Sequence, residues 1–323
     1  MKKTLLILLI LLALLLCLPA VAEEAAEIPA EGSTVTLAVG KQTLTVPADS
    51  EYVDLGTIAL NNGDEKAFKA LEAFMSSLPN LKKLDMYATE IRRGRIAHLA
   101  AAFPQVEFGW TMVIEPCSNK LHPERRRLHL VRTDDTAFST LHNKYCTGHT
   151  DLDFSVLKYC RNLQALDIGH NKVTDLSFLY DLPHLKVLIL ALNNISDITP
   201  IGSLKELEYL EIFRNYITDI SPLANCENLV DLNLCNNTIS DYSPLLELKH
   251  LRRLWLARSN NYGNVPLPSG TVDKLQAALP DCLINTTSTG TEGGWRNHVR
   301  FEEGISKIFE FGNQHYIPFQ TLE

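Results

Sequence analysis

The chain has 323 residues, 46% of them hydrophobic and 21% charged, which is enough apolar material for an extensive core and too much for wholesale disorder. Its formal net charge is −8, and loss of a leader holding two lysines and no acid would take that to −10. Such acidity argues against a general polyanion binder, so nucleic acid is not an expected partner.

The first 22 residues place Lys2 and Lys3 ahead of an apolar run from Leu5 to Leu18, and Ala20-Val21-Ala22 precede Glu23. This is the layout of a cleavable secretory signal, too short in its apolar run for an ordinary bilayer span. Residues 1–22 are therefore set aside from the fold, and stable membrane insertion after cleavage is not expected. Over 23–50, "STVTLAVGKQTLTV" alternates around Gly40-Lys41 and predicts a β-hairpin covering one end of the fold. Residues 51–109 read as irregular coils. Phe68, Leu71, Phe74 and Met75 fall at helical spacing, while Leu81-Leu84-Met86 and Phe103-Val106-Phe108 share a strand-like spacing that returns downstream.

Residues 110–151 interrupt that spacing with the strand-like "WTMVI" and "RRRLHLV" and read as a β-rich insertion. Within it, His142-x₃-Cys146-x₂-His149 lies downstream of Cys117 and His122. Three readings stay open: a metal site, a Cys117–Cys146 disulfide in an exported chain, or no special role. No metal or other cofactor is assigned.

From residue 152 a 22-residue period takes over. Leu163-Leu166-Ile168-Asn171-Val173 recurs as Leu185-Leu188-Leu190-Asn193-Ile195, as Leu207-Leu210-Ile212-Asn215-Ile217 and as Leu229-Leu232-Leu234-Asn237-Ile239. The alternation predicts a short strand with one apolar side, and each asparagine offers a donor and an acceptor to backbone leaving the ladder. Asp175, Asp197, Asp219 and Asp241 share one later register; Pro200, Pro222 and Pro244 share another, which suits a 3₁₀ or extended return. Cys160 and Cys226 fall at inward positions and read as small buried hydrophobes. A unit of this kind cannot bury its own apolar side, so stacked units must share one core.

The expected fold is thus an α/β solenoid: a horseshoe with a parallel concave sheet, short 3₁₀, extended or helical convex returns and a β-hairpin N-terminal cover. Units such as "NNISDITPIGSL" and "NYITDISPLANC" resemble the internalin-type leucine-rich repeats of bacterial surface proteins. The resemblance covers roughly residues 152–260. It implies adhesion or recognition of a protein, although no wall-anchor signal or wall-binding module of the large internalins is recognisable. The solenoid is expected to span 152–285, regular to about 260 and closed by a coil in which "VDKLQAAL" is helical. Residues 286–323 read as a flexible connector, "TTSTGTEGG", and a tail containing Trp295, Phe301, Phe309, Phe311, Tyr316 and Phe319.

On the variable side of the strands, Ile189, Tyr209, Glu211, Phe213, Arg253 and Trp255, with the adjoining Arg214 and Arg258, are the expected ligand-binding residues, since aromatics and arginines make energetic anchors. Solvent-facing side chains there should be removable without opening a core cavity. No nucleophile elbow, P-loop, dinucleotide fingerprint or H-E-x-x-H occurs, and no enzymatic activity is expected. The leading expectation is a secreted or surface-associated monomer that binds a protein, or a glycan, on its concave face. The alternatives are an envelope scaffold acting through the aromatic tail, and a hydrolase with its site in 110–151.

Overall fold

The computed structural model describes residues 32–114, 129–140, 148–260, 263–264 and 266–311. The signal segment, the Cys117 and Cys146 pair, His122, His142, Tyr316 and Phe319 lie outside them.

An antiparallel hairpin opens the fold: β1 (Thr34–Val39) pairs with β2 (Gln42–Pro47), and Gly40, at φ 59°, supplies the left-handed turn residue. Leu37 carries the hairpin into the core. Next come β3 (Tyr52–Asp54), helix α1 (Glu65–Ser76), β4 (Lys83–Ile91), helix α2 (Arg93–Ala102), β5 (Glu107–Ile114) and β6 (His129–Arg132). Helix α1 is capped by the Asp64 carboxylate on the Ala67 N–H and buries Phe68, Leu71, Phe74 and Met75, the face that the helical spacing predicts. Strands β3, β4 and β5 run parallel, and β6 closes this sheet antiparallel to β5. Leu84 pairs with Phe108, not with Val106 as the matching of the two motifs implies. The slip is two residues, so the same side chains still face the core.

The second sheet has seven strands in the order β15-β12-β11-β10-β9-β8-β7, all parallel: β7 (Ala137–Ser139), β8 (Ala165–Asp167), β9 (Val187–Ile189), β10 (Tyr209–Glu211), β11 (Asp231–Asn233), β12 (Arg253–Trp255) and β15 (Leu283–Asn285). Between β7 and β8 lies the short helix α3 (Asp151–Phe154), and a small hairpin, β13 (Ser259–Asn260) with β14 (Gly263–Asn264), follows β12. Strand β7 comes from the stretch read as an insertion and is in fact the first rung of this sheet, its Phe138 in register with Leu166. At the other end, helix α4 (Thr271–Ala278) leads into β15, whose Ile284 pairs with Leu254, as the spacing of the final coil predicts.

The returns opposite the strands are 3₁₀ turns at Ser177–Asp181, Thr199–Ser203, Ser221–Asn225 and Ser243–Glu247. Each is entered through an aspartate that accepts from the N–H two residues on: Asp175 from Ser177, Asp197 from Thr199, Asp219 from Ser221 and Asp241 from Ser243. One apolar core runs from the hairpin through both sheets to the last coil. Cys160 and Cys226 are buried in it, and burial pushes the Cys226 thiol up to about 11.

The asparagines form the expected ladder. Asn193 Nδ2 donates to the carbonyls of Ile168 and Leu190 at 3.0 Å, and its Oδ1 accepts from the Val173 N–H. Asn215 and Asn237 repeat the pattern one coil further each time. The residue before each asparagine, His170, Leu192, Arg214 or Asn236, is left-handed at φ 53–58°. Outside glycine such a residue costs about 1–2 kcal/mol, so the turn is held by the ladder and the packing around it.

The ladder is testable: Asn215→Ala should lower unfolding free energy in urea by about 1–3 kcal/mol, since it orphans the buried Ile195 N–H and removes one of the two asparagine donors from each of the Leu190 and Ile212 carbonyls. The exposed Asn228→Ala should cost far less, and equal losses would contradict the ladder's role.

Candidate functional site

Parallel, in-register strands put equivalent side chains into columns across the concave face. One column runs Ala165, Val187, Tyr209, Asp231 and Arg253; a second runs Asp167, Ile189, Glu211, Asn233 and Trp255. Both point away from the core of the solenoid, as the alternation predicts. They do not point into open space.

The chain returns from β15 across this face. Residues 286–294 cross beside β11 and β12, followed by a π-helical turn (Arg300–Ile305) and helix α5 (Ser306–Phe311), whose end reaches β7. Trp295, Ile305 and Ile308 of this segment join Tyr209, Phe213, Cys235 and Trp255 of the strands in a second apolar core, separate from the first. Trp295 is 0% exposed; its ring centroid lies 5.3 Å from that of Tyr209 and 5.1 Å from that of Trp255. The stretch expected as a flexible connector is tied down by side chains of the strands: Asn233 Nδ2 donates to Gly290 O at 2.7 Å and Trp255 Nε1 to Glu292 O at 3.2 Å. Gly293, at φ 66°, has no room for a side chain, because a Cβ there would strike the Ser288 hydroxymethyl group.

Charge is buried with the rings. Glu211, 0% exposed, accepts from Trp295 Nε1 at 2.7 Å, from Arg296 Nε and Nη2 at 3.0 and 2.6 Å, and from the Tyr209 hydroxyl. Asp231, equally buried, takes a bidentate pair from Arg300 at 2.9 and 2.7 Å and a longer contact from Arg253 at 3.4 Å. Arg253 also donates to the carbonyls of Gly294 and Trp295, and its guanidinium lies 4.6 Å from the Trp295 ring centre. Desolvation pulls the Arg253 pKa down; around Arg296 it is outweighed by Glu211, which drives the pKa up. Bidentate pairs in a dry site are strong and intolerant of losing one member.

A third carboxylate, Asp167, accepts from the Gly169 N–H at 3.1 Å and has no bidentate arginine; burial raises it to about 7. Its partner Gly169 lines an open cleft of about 260 Å³, together with His170, Ile189, Leu192, Phe213, Arg214 and Arg296 among others.

The eight expected site residues therefore divide. Tyr209, Glu211, Arg253 and Trp255 are buried under the C-terminal segment and hold it. Ile189 and Phe213 are largely buried but border the cleft, and Arg214 is exposed at its rim. Arg258 is half-buried and outside this cluster. The assumption that truncating Tyr209 and Trp255 opens no cavity is corrected: both belong to a core. Arg296 and Arg300 were missed because their partners Glu211 and Asp231 are 85 and 69 residues away in the chain, and no local pattern marks them; Asp167 lies in the variable concave register that the alternation predicts. Of the His-Cys set in 110–151, His149 is described; it is buried, its ring 5.6 Å from that of His129. Among the described residues no group of three His, Cys, Asp or Glu side chains is placed to hold a metal ion.

Trp255→Ala should cost about 3–5 kcal/mol in urea unfolding, the loss typical of a large buried ring; a loss below about 1 kcal/mol would mean that the face is open in solution. Asp167 gives a pH signature. The folded protein keeps its proton to about pH 7 and the unfolded chain releases it near the ordinary value of 3.8, so this group removes stability as pH rises across that window. Asp167→Asn should therefore gain on the wild type between about pH 5 and about pH 8, by on the order of a few kcal/mol at the upper end. A constant difference in melting temperature would refute the assignment.

The family model described as "Leucine Rich repeats (2 copies)" matches residues 183–225, and no curated protein matches. Among solved structures, an internalin of Listeria monocytogenes is 24% identical with a TM-score of 0.39, covering 67% of this chain and 50% of its own. An internalin C2 of the same species is 24% identical with a TM-score of 0.37, over 66% and 74%. A leucine-rich-repeat protein of Leptospira interrogans is 18% identical with a TM-score of 0.36, over 74% and 55%. This chain thus spans about half the length of the first of these. Leucine-rich-repeat proteins generally mediate protein binding. With its 22-residue period, asparagine ladder and seven-stranded parallel sheet, this chain has the fold of a leucine-rich-repeat solenoid.

Proposed function

We propose that this chain is a secreted or surface-associated, non-enzymatic protein-binding module that works as a monomer and engages its ligand on the concave side of the solenoid. The observation that carries the reading is the cleft of about 260 Å³ between the strands and the C-terminal segment, where a largely buried apolar floor of Ile189 and Phe213 meets the exposed Arg214. An apolar floor with directed cationic groups at its rim suits a protein side chain entering from solvent. The lysine-bearing, apolar first 22 residues support export. Among the described residues no helix is long and apolar enough to cross a membrane.

Tail-mediated scaffolding has less support, because the tail's described aromatics turn inward: Trp295 is wholly buried, and Phe301 and Phe309 pack against the same cluster. A glycan ligand remains the competing occupant of the cleft, and the binding measurement separates the two.

The full-length protein, immobilised, is offered to envelope and host protein extracts before and after enzymatic deglycosylation, and captured proteins are titrated individually. Arg214→Glu, a change at an exposed position, should weaken capture roughly tenfold, about 1.4 kcal/mol, without altering the melting temperature. Undiminished binding by that variant would remove the cleft from the site, and binding lost on deglycosylation alone would replace protein by glycan.

A further inference from the structure

The surface beneath the C-terminal segment is built like a receptor site for that segment. The solenoid does not require it: the strands already exchange their backbone hydrogen bonds with neighbours, and the main core is complete without the second cluster. Nor does the repeat dictate its chemistry. Where β10 has Glu211, the other coils have Asp167, Ile189, Asn233 and Trp255; where β11 has Asp231, they have Ala165, Val187, Tyr209 and Arg253. These are variable positions at which two carboxylates and two large rings meet one tryptophan and two arginines.

We propose that the concave face over β10–β12 is a recognition site for a protein segment in which a tryptophan is followed at once by one arginine and four residues later by a second, and that residues 295–308 occupy it in cis. This inference rests on the protein-binding reading above and names the partner's chemistry. The fit has three parts. The tryptophan enters between Tyr209 and Trp255 and donates its N–H to Glu211. The first arginine makes a fork with the same carboxylate, and the second makes one with Asp231. Apolar positions five and eight residues past the second arginine, here Ile305 and Ile308, cover the rest of the face. A segment with helical spacing laid on an apolar groove with flanking charges is a recurrent mode of peptide recognition.

Because the cis segment is tethered through a short connector, it competes at an effective concentration on the order of millimolar, so a free partner with the same anchors meets an occupied site. The cleft lined by Arg214 and Arg296 lies next to the segment, giving an incoming chain a place to start.

The test uses the full-length protein and a fluorescein-labelled peptide of residues 293–311. With the wild type, unlabelled peptide at about millimolar concentration should speed deuterium exchange of residues 295–309 several-fold, while a peptide with Trp295 and both arginines replaced by alanine should not. Two loosened full-length variants, Trp295→Ala with Arg300→Ala and, independently, Gly293→Ala, should bind the labelled peptide at least tenfold more tightly than the wild type in fluorescence anisotropy. Unchanged exchange in the wild type overturns the proposal, even if a variant fails to fold. Equal binding of the alanine-replaced peptide overturns it as well, and so does dimerisation of the variants in sedimentation, which would make the occupant a second copy of this chain. If the peptide fails while Arg214→Glu still loses its captured protein, the partner chemistry falls and the protein-binding reading stands.

Discussion

Each coil must turn out of its strand with buried backbone groups that no neighbouring strand can satisfy, and the asparagine after each of β8–β11 is what satisfies them. Its amide bonds carbonyls and an N–H of its own coil and of the one before, so each coil completes its predecessor. This is a nearest-neighbour construction, in which stability accumulates by stacking. The left-handed residues at His170, Leu192, Arg214 and Asn236 are tolerated because this bonding is already in place.

A solenoid built in this way leaves its concave side free to carry side chains that the repeat does not prescribe. Here those side chains are covered by the chain's own C-terminal segment, giving two stacked cores with the sheet between them. The inner core is aliphatic and periodic. The outer one is aromatic and charged, with Glu211 and Asp231 neutralised by Arg296, Arg300 and Arg253. Buried ion pairs contribute little net stability compared with apolar packing, but removing one partner leaves a desolvated charge, so they specify geometry more than they strengthen it. That arrangement suits a surface that must hold one segment in one register.

This architecture changes which concave side chains solvent can reach. A bare concave sheet would offer Tyr209 and Trp255 as anchors; with the segment in place, solvent reaches the edge of the cleft at Arg214 and Arg296 instead. The aromatic tail and the concave face, which sequence reasoning treats as rival contact surfaces, are the two halves of one interface. Asp167, which burial raises to about 7, lies in the same register as Glu211 but without a bidentate arginine.

The 22-residue period by itself determined the strands, the 3₁₀ returns and the ladder, because each depends on residues within one coil or at the same place in the next. The helix at Phe68–Met75 and the hairpin around Gly40 were legible for the same reason, as local periodicities with their own turn or cap. Only the tertiary structure decided that β7 belongs to the main sheet, since Ala137–Ser139 lacks the leucines of the regular units and is recruited by pairing with β8. The same holds for the concave face. Alternation says that Tyr209 and Trp255 point away from the leucines, but solvent and a returning segment are equivalent to that pattern. The pairing of Asp231 with Arg300, 69 residues apart, rests on three-dimensional packing that no spacing records.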